Sequence, residues 1–222
     1  MSRRIQHGDW ALEWLQYPSY EPLTLSQAKQ QLGITDDQTD FDALIGGTGA
    51  GDGYISVARS YIEETYGLPI LKQRVRLTLA QFPWADTIRI PIWPVQSVDA
   101  FTYVTSDSIQ HTLTVGENTT IPIPNVLTRL SRKPAELILP FAVIWPPAVL
   151  QTAEAIAIDM TVGFINGLSP ETLPIPSVVF QAMRLLIGHY FMNREAATVI
   201  GRPSEALVLG IDNLMANVRL HF

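Results

Sequence analysis

Tyr54-Ile55-Ser56-Val57-Ala58-Arg59-Ser60-Tyr61-Ile62-Glu63-Glu64-Thr65-Tyr66-Gly67-Leu68-Pro69-Ile70-Leu71-Lys72-Gln73-Arg74-Val75-Arg76-Leu77-Thr78-Leu79 contains the change of pattern that decides the fold. In its first half Ile55, Ala58, Ile62 and Tyr66 recur at spacings of three and four, which puts them on one side of a helix. Gly67 and Pro69 stop that helix. In its second half Arg74 to Leu79 alternate polar and apolar, the period of a strand with one face buried. The chain therefore passes from helix to sheet near residue 70.

Moving toward the N-terminus, helical spacing continues. Leu25, Ala28 and Leu32 share a face, Thr24 or Ser26 is placed to cap it, and Gly33 ends it. Asp40 is placed to cap a second short helix carrying Phe41, Leu44 and Ile45. Residues 1–22, with Trp10, Trp14, Tyr17 and Tyr20, are too few for a core of their own and are expected to lie as an arm on this subunit or a neighbour. Moving toward the C-terminus, strands are expected at Thr87 to Ile90, Val98 to Val104, Thr112 to Val115 and Ala155 to Val162. Frequent prolines put several of them at edges or bulges. The stretch 118–147 is both Pro-rich and apolar and is expected to be an insertion or extended loop packed against something. Helix returns after Pro174 and Pro176, with Val179, Ala182, Met183, Leu186, Ile187 and Tyr190 on one face. A last helix follows Pro203, with Ser204 as cap and Leu207, Ile211, Leu214, Met215 and Val218 as its apolar set. These elements predict an α+β chain: mainly an α-helical bundle, with N-terminal helices and a long C-terminal helix, and an inserted small antiparallel β-sheet. The expected division is an arm at 1–22 and one domain at 23–222, with a β-rich insertion at 70–164 and C-terminal helices and tail at 165–222.

Composition narrows the function. The 222 residues are 47% hydrophobic and only 16% charged, against about 25% charged in an average soluble domain. Mean hydropathy is +0.15, and the chain carries 5 Trp, 7 Tyr and 8 Phe. A surface this poor in charge predicts burial against other subunits. The net charge is −6 and no run of Lys and Arg occurs, which argues against specific DNA binding. A like-charged wall would instead let DNA slide past. The absence of cysteine removes disulfides, zinc-thiolate sites and thiol nucleophiles, and suits a reducing cytoplasm. The basic residues near the start are followed by no apolar stretch, so no signal peptide is expected. The longest uncharged run, Leu137 to Ala153, is broken by Pro140, Pro146 and Pro147, and a spanning helix needs about 20 apolar residues; no membrane partner is expected.

Candidate chemistry is thin. The glycine-rich segment 46–53 fails as a phosphate loop, because Asp52 stands where a Lys would be needed and no Gly-x-Gly-x-x-Gly frame fits; it is expected to be a flexible break in a helix. His7, His111, His189 and His221 form no pair at metal-binding spacing. Glu63 and Glu64 are adjacent on a helix and point to different faces, so a solvated face is expected rather than an acid/base pair. Asp36, Asp37, Asp40 and Asp42 cluster at a helix start, either as favourable partners of the helix dipole or as a calcium site or DNA-repelling wall; the calcium-loop spacing is missing. No Gly-x-Ser-x-Gly elbow occurs. No catalytic residue, cofactor or metal is expected.

A series of words runs through the chain in order: Leu23-Thr24-Leu25-Ser26-Gln27-Ala28-Lys29; Val57-Ala58-Arg59-Ser60-Tyr61-Ile62-Glu63-Glu64-Thr65-Tyr66-Gly67; Ile90-Pro91-Ile92-Trp93-Pro94-Val95-Gln96-Ser97-Val98 with Phe101-Thr102-Tyr103-Val104; Val162-Gly163-Phe164; Pro174-Ile175-Pro176; and Gln181 to Glu195. Together, from about Leu23 onward, they make the chain resemble the head-tail connector, or adaptor, family of long-tailed phages, including its relatives in prophages and gene transfer agents. The resemblance implies a viral structural protein without enzyme activity, assembled in the host bacterial cytoplasm and located in the virion at the head-tail junction. It implies a homo-oligomeric ring, a dodecamer beneath the portal, closed by heterologous contacts. The implied partners are the portal protein, a tail-proximal stopper or completion protein, and double-stranded DNA passing through a channel without sequence-specific binding. Two features depart from the family pattern: the glycine-rich break and the long 118–147 stretch.

Within this picture Arg219, Leu220, His221 and Phe222 are an apolar chain end suited to docking into the portal or a neighbouring ring, and Asp36, Asp37, Asp40 and Asp42 suit a DNA-facing acidic wall. Two other readings compete. A tail-completion or assembly protein keeps the structural class but changes the position. A glycan-binding module or enzyme would use Trp84, Trp93 and Trp145 to stack on sugar rings, although each is flanked by proline or apolar residues that suit an interface.

Overall fold

The computed structural model describes residues 4–7, 10–16, 18, 20–48, 52–117, 125–164, 174–193 and 205–218. They divide into two compact units. One draws its described residues from 1–17 and 72–163, the other from 18–71 and 164–219.

The first unit is all β. It contains β1 (Arg4–His7), β2 (Trp10–Gln16), β3 (Gln73–Leu79), β4 (Thr87–Arg89), β5 (Val95–Val104), β6 (Gln110–Leu113), β7 (Val115–Gly116), β8 (Val126–Arg129), β9 (Glu136–Ile138) and β10 (Ile156–Val162). Six strands form an antiparallel sheet in the order β1-β2-β3-β10-β5-β6. Four form a second sheet, β4-β9-β8-β7, in which only β7 and β8 run parallel.

Period-two alternation becomes a core through register. Leu12 stands opposite Leu77, Leu77 opposite Ile158, Ile158 opposite Phe101 and Phe101 opposite Leu113, an apolar row across five strands. Trp14, Val75, Met160 and Val98 make a second row. Leu77, Ile158 and Phe101 are buried, and each such side chain contributes roughly 1.5–3 kcal/mol relative to exposure. Ile88, Val126, Ala135 and Leu137 bring the second sheet into the same core. Charges occupy the alternate positions. Arg76 lies between Glu13 and Asp159 in register and donates to both Asp159 oxygens at 2.6 and 2.8 Å. That bidentate bond, aided by the nearby Asp159 and Glu13 charges, raises the Arg76 pKa against the opposing effect of burial.

The second unit is helical: α1 (Leu25–Leu32), α2 (Asp42–Gly46), α3 (Tyr54–Tyr66), α4 (Ser177–Met192) and α5 (Glu205–Met215). Thr24 and Gln27 form a reciprocal capping box at the start of α1, and Gly33 ends the helix at φ 70°. Phe41, not Asp40, takes the N-cap position of α2, and no side chain caps it. α4 packs against α1, α3 and α5. The buried faces of α3 and α4 are those expected: Ile55, Ala58, Ile62 and Tyr66 on α3, and Val179, Ala182, Met183, Leu186, Ile187 and Tyr190 on α4.

The glycine-rich segment is a tight contact where it is described. A Cβ on Gly53 would lie 2.4 Å from the Gly47 nitrogen and 2.5 Å from the Gly46 carbonyl carbon. Only glycine lets the start of α3 come so close to the end of α2.

The expectation of a mainly helical bundle with a small inserted sheet is overturned. The described residues hold ten strands in two sheets against five helices, two of them short. Two segments account for the difference. Trp10, Leu12 and Trp14 alternate as a strand, but their partner β3 lies some sixty residues on, so local pattern alone gave them no sheet to join. The 118–147 stretch, expected as an insertion or extended loop packed against something, supplies β8 and β9 and buries Val126, Ala135 and Leu137.

Candidate assembly interface

In the sheet unit the β3–β4 connection and the segment that follows β9 lie side by side. Trp145 stacks on Phe82 with ring centroids 5.2 Å apart and planes 11° from parallel. Its indole nitrogen donates to the Ala85 carbonyl at 2.9 Å, and Leu139 N–H donates to the Asp86 carbonyl at 2.9 Å. This anchoring holds other apolar side chains outward. Trp84 and Phe141 are both 101% exposed, Val149 75% and Ile144 73%. Beside them a groove of about 480 Å³ is lined by Phe82, Pro146, Ala148 and Leu150, with Gln81 and Gln151 among its polar groups. Apolar side chains left fully in water are poor monomer surface and suited to anchoring an interface.

The three tryptophans weighed as sugar platforms are separated in environment. Trp93 is 9% exposed, with the Lys133 ammonium 3.8 Å from its ring centroid. Trp145 is committed to Phe82. Only Trp84 presents a free face.

The acidic segment lies in the helical unit. Lys29, buried at 2% exposure, donates to Asp42 at 2.7 Å and to the Asp36 carbonyl at 3.1 Å. Ser26 donates to the Asp36 carboxylate at 2.9 Å. Asp36 and Asp42 thus hold the turn between α1 and α2 together, while Asp37 and Asp40 are exposed. The Thr35 hydroxyl and the Asp37 backbone hydrogen-bond the Asp37 carboxyl and, with Lys29 nearby, hold it below its ordinary pKa, so it stays charged. Arg219, Leu220, His221 and Phe222, expected as a docking tail, lie outside the described residues.

Other sequence candidates are structural. Glu63, expected on a solvated face, is 8% exposed. It accepts from Arg59 at 2.8 Å and from the Ile70 N–H at 2.9 Å. Burial works against the Arg59 guanidinium, but Glu21 and Glu63 more than offset it and raise its pKa. His111 stacks on Tyr103 at 4.9 Å, and His189 lies within 3.3 Å of the Asn193 amide. Among the described residues no group of three or more His, Cys, Asp or Glu is placed to hold a metal ion. No described helix is long and apolar enough to cross a membrane.

The sequence places Phe141 and Ile144 in a stretch expected to pack against something but does not single them out, or Val149, as exposed apolar side chains. Sequence reading also missed a three-arginine cluster around Glu136, because Arg89 is brought to Arg129 and Arg132 only by strand pairing. Arg89 and Arg129 flank Glu136 in register. Arg132 reaches Glu136 at 2.9 Å and Arg89 at 3.9 Å.

A two-sheet unit and a helical unit interleaved along one chain define the class of fold. No protein-family model matches the chain, and no curated protein matches it. Solved structures do share the fold. A chain in the neck of an empty gene transfer agent (GTA) particle, computed with C6 symmetry, is 20% identical with a TM-score of 0.65, over 95% of this chain and 96% of that one. A chain in the virion of a native GTA particle is 21% identical with a TM-score of 0.66, over the same shares. A chain in the neck of a native GTA particle, computed with C12 symmetry, is 20% identical with a TM-score of 0.57, over 91% of this chain and 95% of that one. The likeness agrees with the head-tail connector resemblance carried by the sequence. At this level of identity it establishes the shared fold.

Proposed function

We propose that this chain is a structural component of the neck of a tailed phage or phage-like particle. It forms a ring of identical subunits beneath the portal and joins the portal to tail-proximal proteins while DNA passes through. The observation that carries the reading is a fold shared over nearly the whole chain, 95%, with chains from GTA necks and virions. The C6 and C12 symmetries of those necks support a ring of copies here. The exposed Trp84, Phe141, Ile144 and Val149 supply apolar anchors that such a ring would bury. The role is mechanical, and no catalysis is assigned. Within this reading the terminal Arg219, Leu220, His221 and Phe222 dock into a neighbouring ring. Deleting Leu220 to Phe222 is then expected to block head-tail joining, and normal joining by the truncated chain would remove that assignment.

The test of the whole reading is immunogold labelling of particles that carry an epitope-tagged copy, imaged by electron microscopy. Label at the junction of head and tail is expected. Label at the distal tail, or particles free of label, would overturn the neck position and return the chain to a tail-completion or assembly role.

A further inference from the structure

We propose that the arginine cluster on the four-stranded sheet is the docking surface for a second copy of this chain, and that it receives the exposed 36–40 segment of that copy. The inference rests on the ring reading above and adds the contact that closes the ring.

Charge matching across the sheet unit sets this cluster apart. On the six-stranded sheet Arg76 is matched by Asp159 at 2.6 Å and Arg74 by Asp99 at 3.8 Å. On the four-stranded sheet Arg89 and Arg132 share one carboxylate, Glu136, itself only 9% exposed, and Arg129 stands beside it in register. Arg89 and Arg132 keep 73% and 60% of their side chains in solvent. Arg129 is exposed and forms no ion pair among the described residues. Lys133, in the same β8–β9 turn, is instead placed over the Trp93 ring. One carboxylate, hydrogen-bonded to Arg132, cannot neutralise three guanidinium groups, which leaves Arg89 and Arg129 able to take carboxylates from outside.

The complementary surface is in the helical unit. Lys29 satisfies Asp42 and the Asp36 carbonyl from inside. Asp37 and Asp40 face outward, and neither forms an ion pair among the described residues. The chain thus carries a local cationic excess on one unit and a local anionic excess on the other, within a net charge of −6. Copies with that net charge repel one another unless opposite patches meet. Two different patches meeting head to tail is the heterologous geometry that closes a ring. Asp37 and Asp40 are thereby assigned to a subunit contact and not to a DNA-repelling wall. Duplex DNA, the other polyanion of the setting, is the rival occupant that the experiment separates.

Three full-length variants test this in particles: Arg89→Glu with Arg129→Glu, Asp37→Arg with Asp40→Arg, and all four together. Each reversed pair is expected to reduce copies of the chain per purified particle at least about tenfold, since like charges then face each other. The four-fold variant is expected to regain most of the loss. Thermal melts of the purified chains show whether each variant is folded. If Glu beside Glu136 prevents folding, Arg89→Gln with Arg129→Gln is used instead, with a several-fold loss expected. Full incorporation of either reversed pair, or failure of the folded four-fold variant to recover, overturns the contact. Loss of duplex-DNA co-sedimentation on arginine reversal, with undiminished incorporation of the aspartate variant, overturns it in favour of phosphate binding. Particles lacking even the wild-type chain remove the ring reading and this inference with it. Particles that contain the wild-type chain and tolerate the reversals remove this inference alone.

Discussion

The Lys29 ammonium lies 2.7 Å from an Asp42 carboxylate oxygen, with the Lys29 side chain 2% exposed and that of Asp42 31% exposed. A buried cation paired at hydrogen-bond distance with one carboxylate among the described residues makes the two substitutions unequal. Asp42→Asn keeps an amide oxygen that can accept from the ammonium but removes the balancing charge, leaving a buried cation without its counter-ion. It is expected to cost about 1–3 kcal/mol, below the fully buried case because Asp42 keeps some water contact. Lys29→Met removes the buried charge and keeps the apolar stem, leaving Asp42 and the Asp36 carbonyl to water, and is expected to cost less than Asp42→Asn because Asp42 is already partly exposed. Urea denaturation of both variants checks the order. Equal losses would mean that the pair, not the desolvated charge, dominates.

Gly53 makes the second prediction. Its Cα approaches the Gly46–Gly47 backbone so closely that a methyl group has no room, and backbone cannot rotate aside as a side chain can. Gly53→Ala is expected to destabilise the helical unit by about 1–3 kcal/mol, as overpacking does. A thermal melt unchanged within error would show that the α2–α3 turn yields freely.

The limits of the sequence reading follow from the range of each interaction. α1, α3 and α4 were legible because caps, stops and a 3.6-residue period are local, as at Thr24, Gly33 and Gly67. β3, β5 and β10 were legible as single strands for the same reason. Their assembly was not: Leu12, Leu77, Ile158 and Phe101 align only through pairings between distant segments, so the sheet was judged small and the fold mainly helical. The candidate sites divide likewise. The 36–42 carboxylates were visible as neighbours in the chain, whereas the buried Lys29 that holds two of them was not. The arginines around Glu136 lie at 89, 129 and 132, and no run of basic residues announced them.

Tyr190 predicts a pH dependence. Burial, with a smaller contribution from Tyr61, pushes its phenol up to about 12, while an unfolded tyrosine titrates near 10. Between those values the unfolded chain loses a proton that the folded chain keeps, so stability falls as pH rises. The contribution is complete below about pH 10 and is lost progressively toward about pH 12. Tyr190→Phe removes the titrating group and keeps the ring packed near Tyr54. The drop in urea midpoint between about pH 8 and pH 11 is expected to be smaller in this variant than in the wild type. An equal drop in both would assign the alkaline loss to other groups.

Trp84 and Phe141 separate folding from assembly. Both side chains are fully exposed, so Trp84→Ser with Phe141→Ser removes almost no packing from the subunit. Surface changes of this kind stay within about 0.5 kcal/mol, and the isolated chain is expected to melt as the wild type does. In an assembly the same residues would be anchors, and truncating a buried aromatic anchor costs about 2 kcal/mol or more per contact. Repeated around a ring, that loss is expected to reduce the number of copies held by each particle, counted by quantitative immunoblotting against a major capsid band. An unchanged melt with depleted particles would identify the apolar loops as an assembly surface. An unchanged melt with full occupancy would leave Trp84 and Phe141 outside every contact the particle needs.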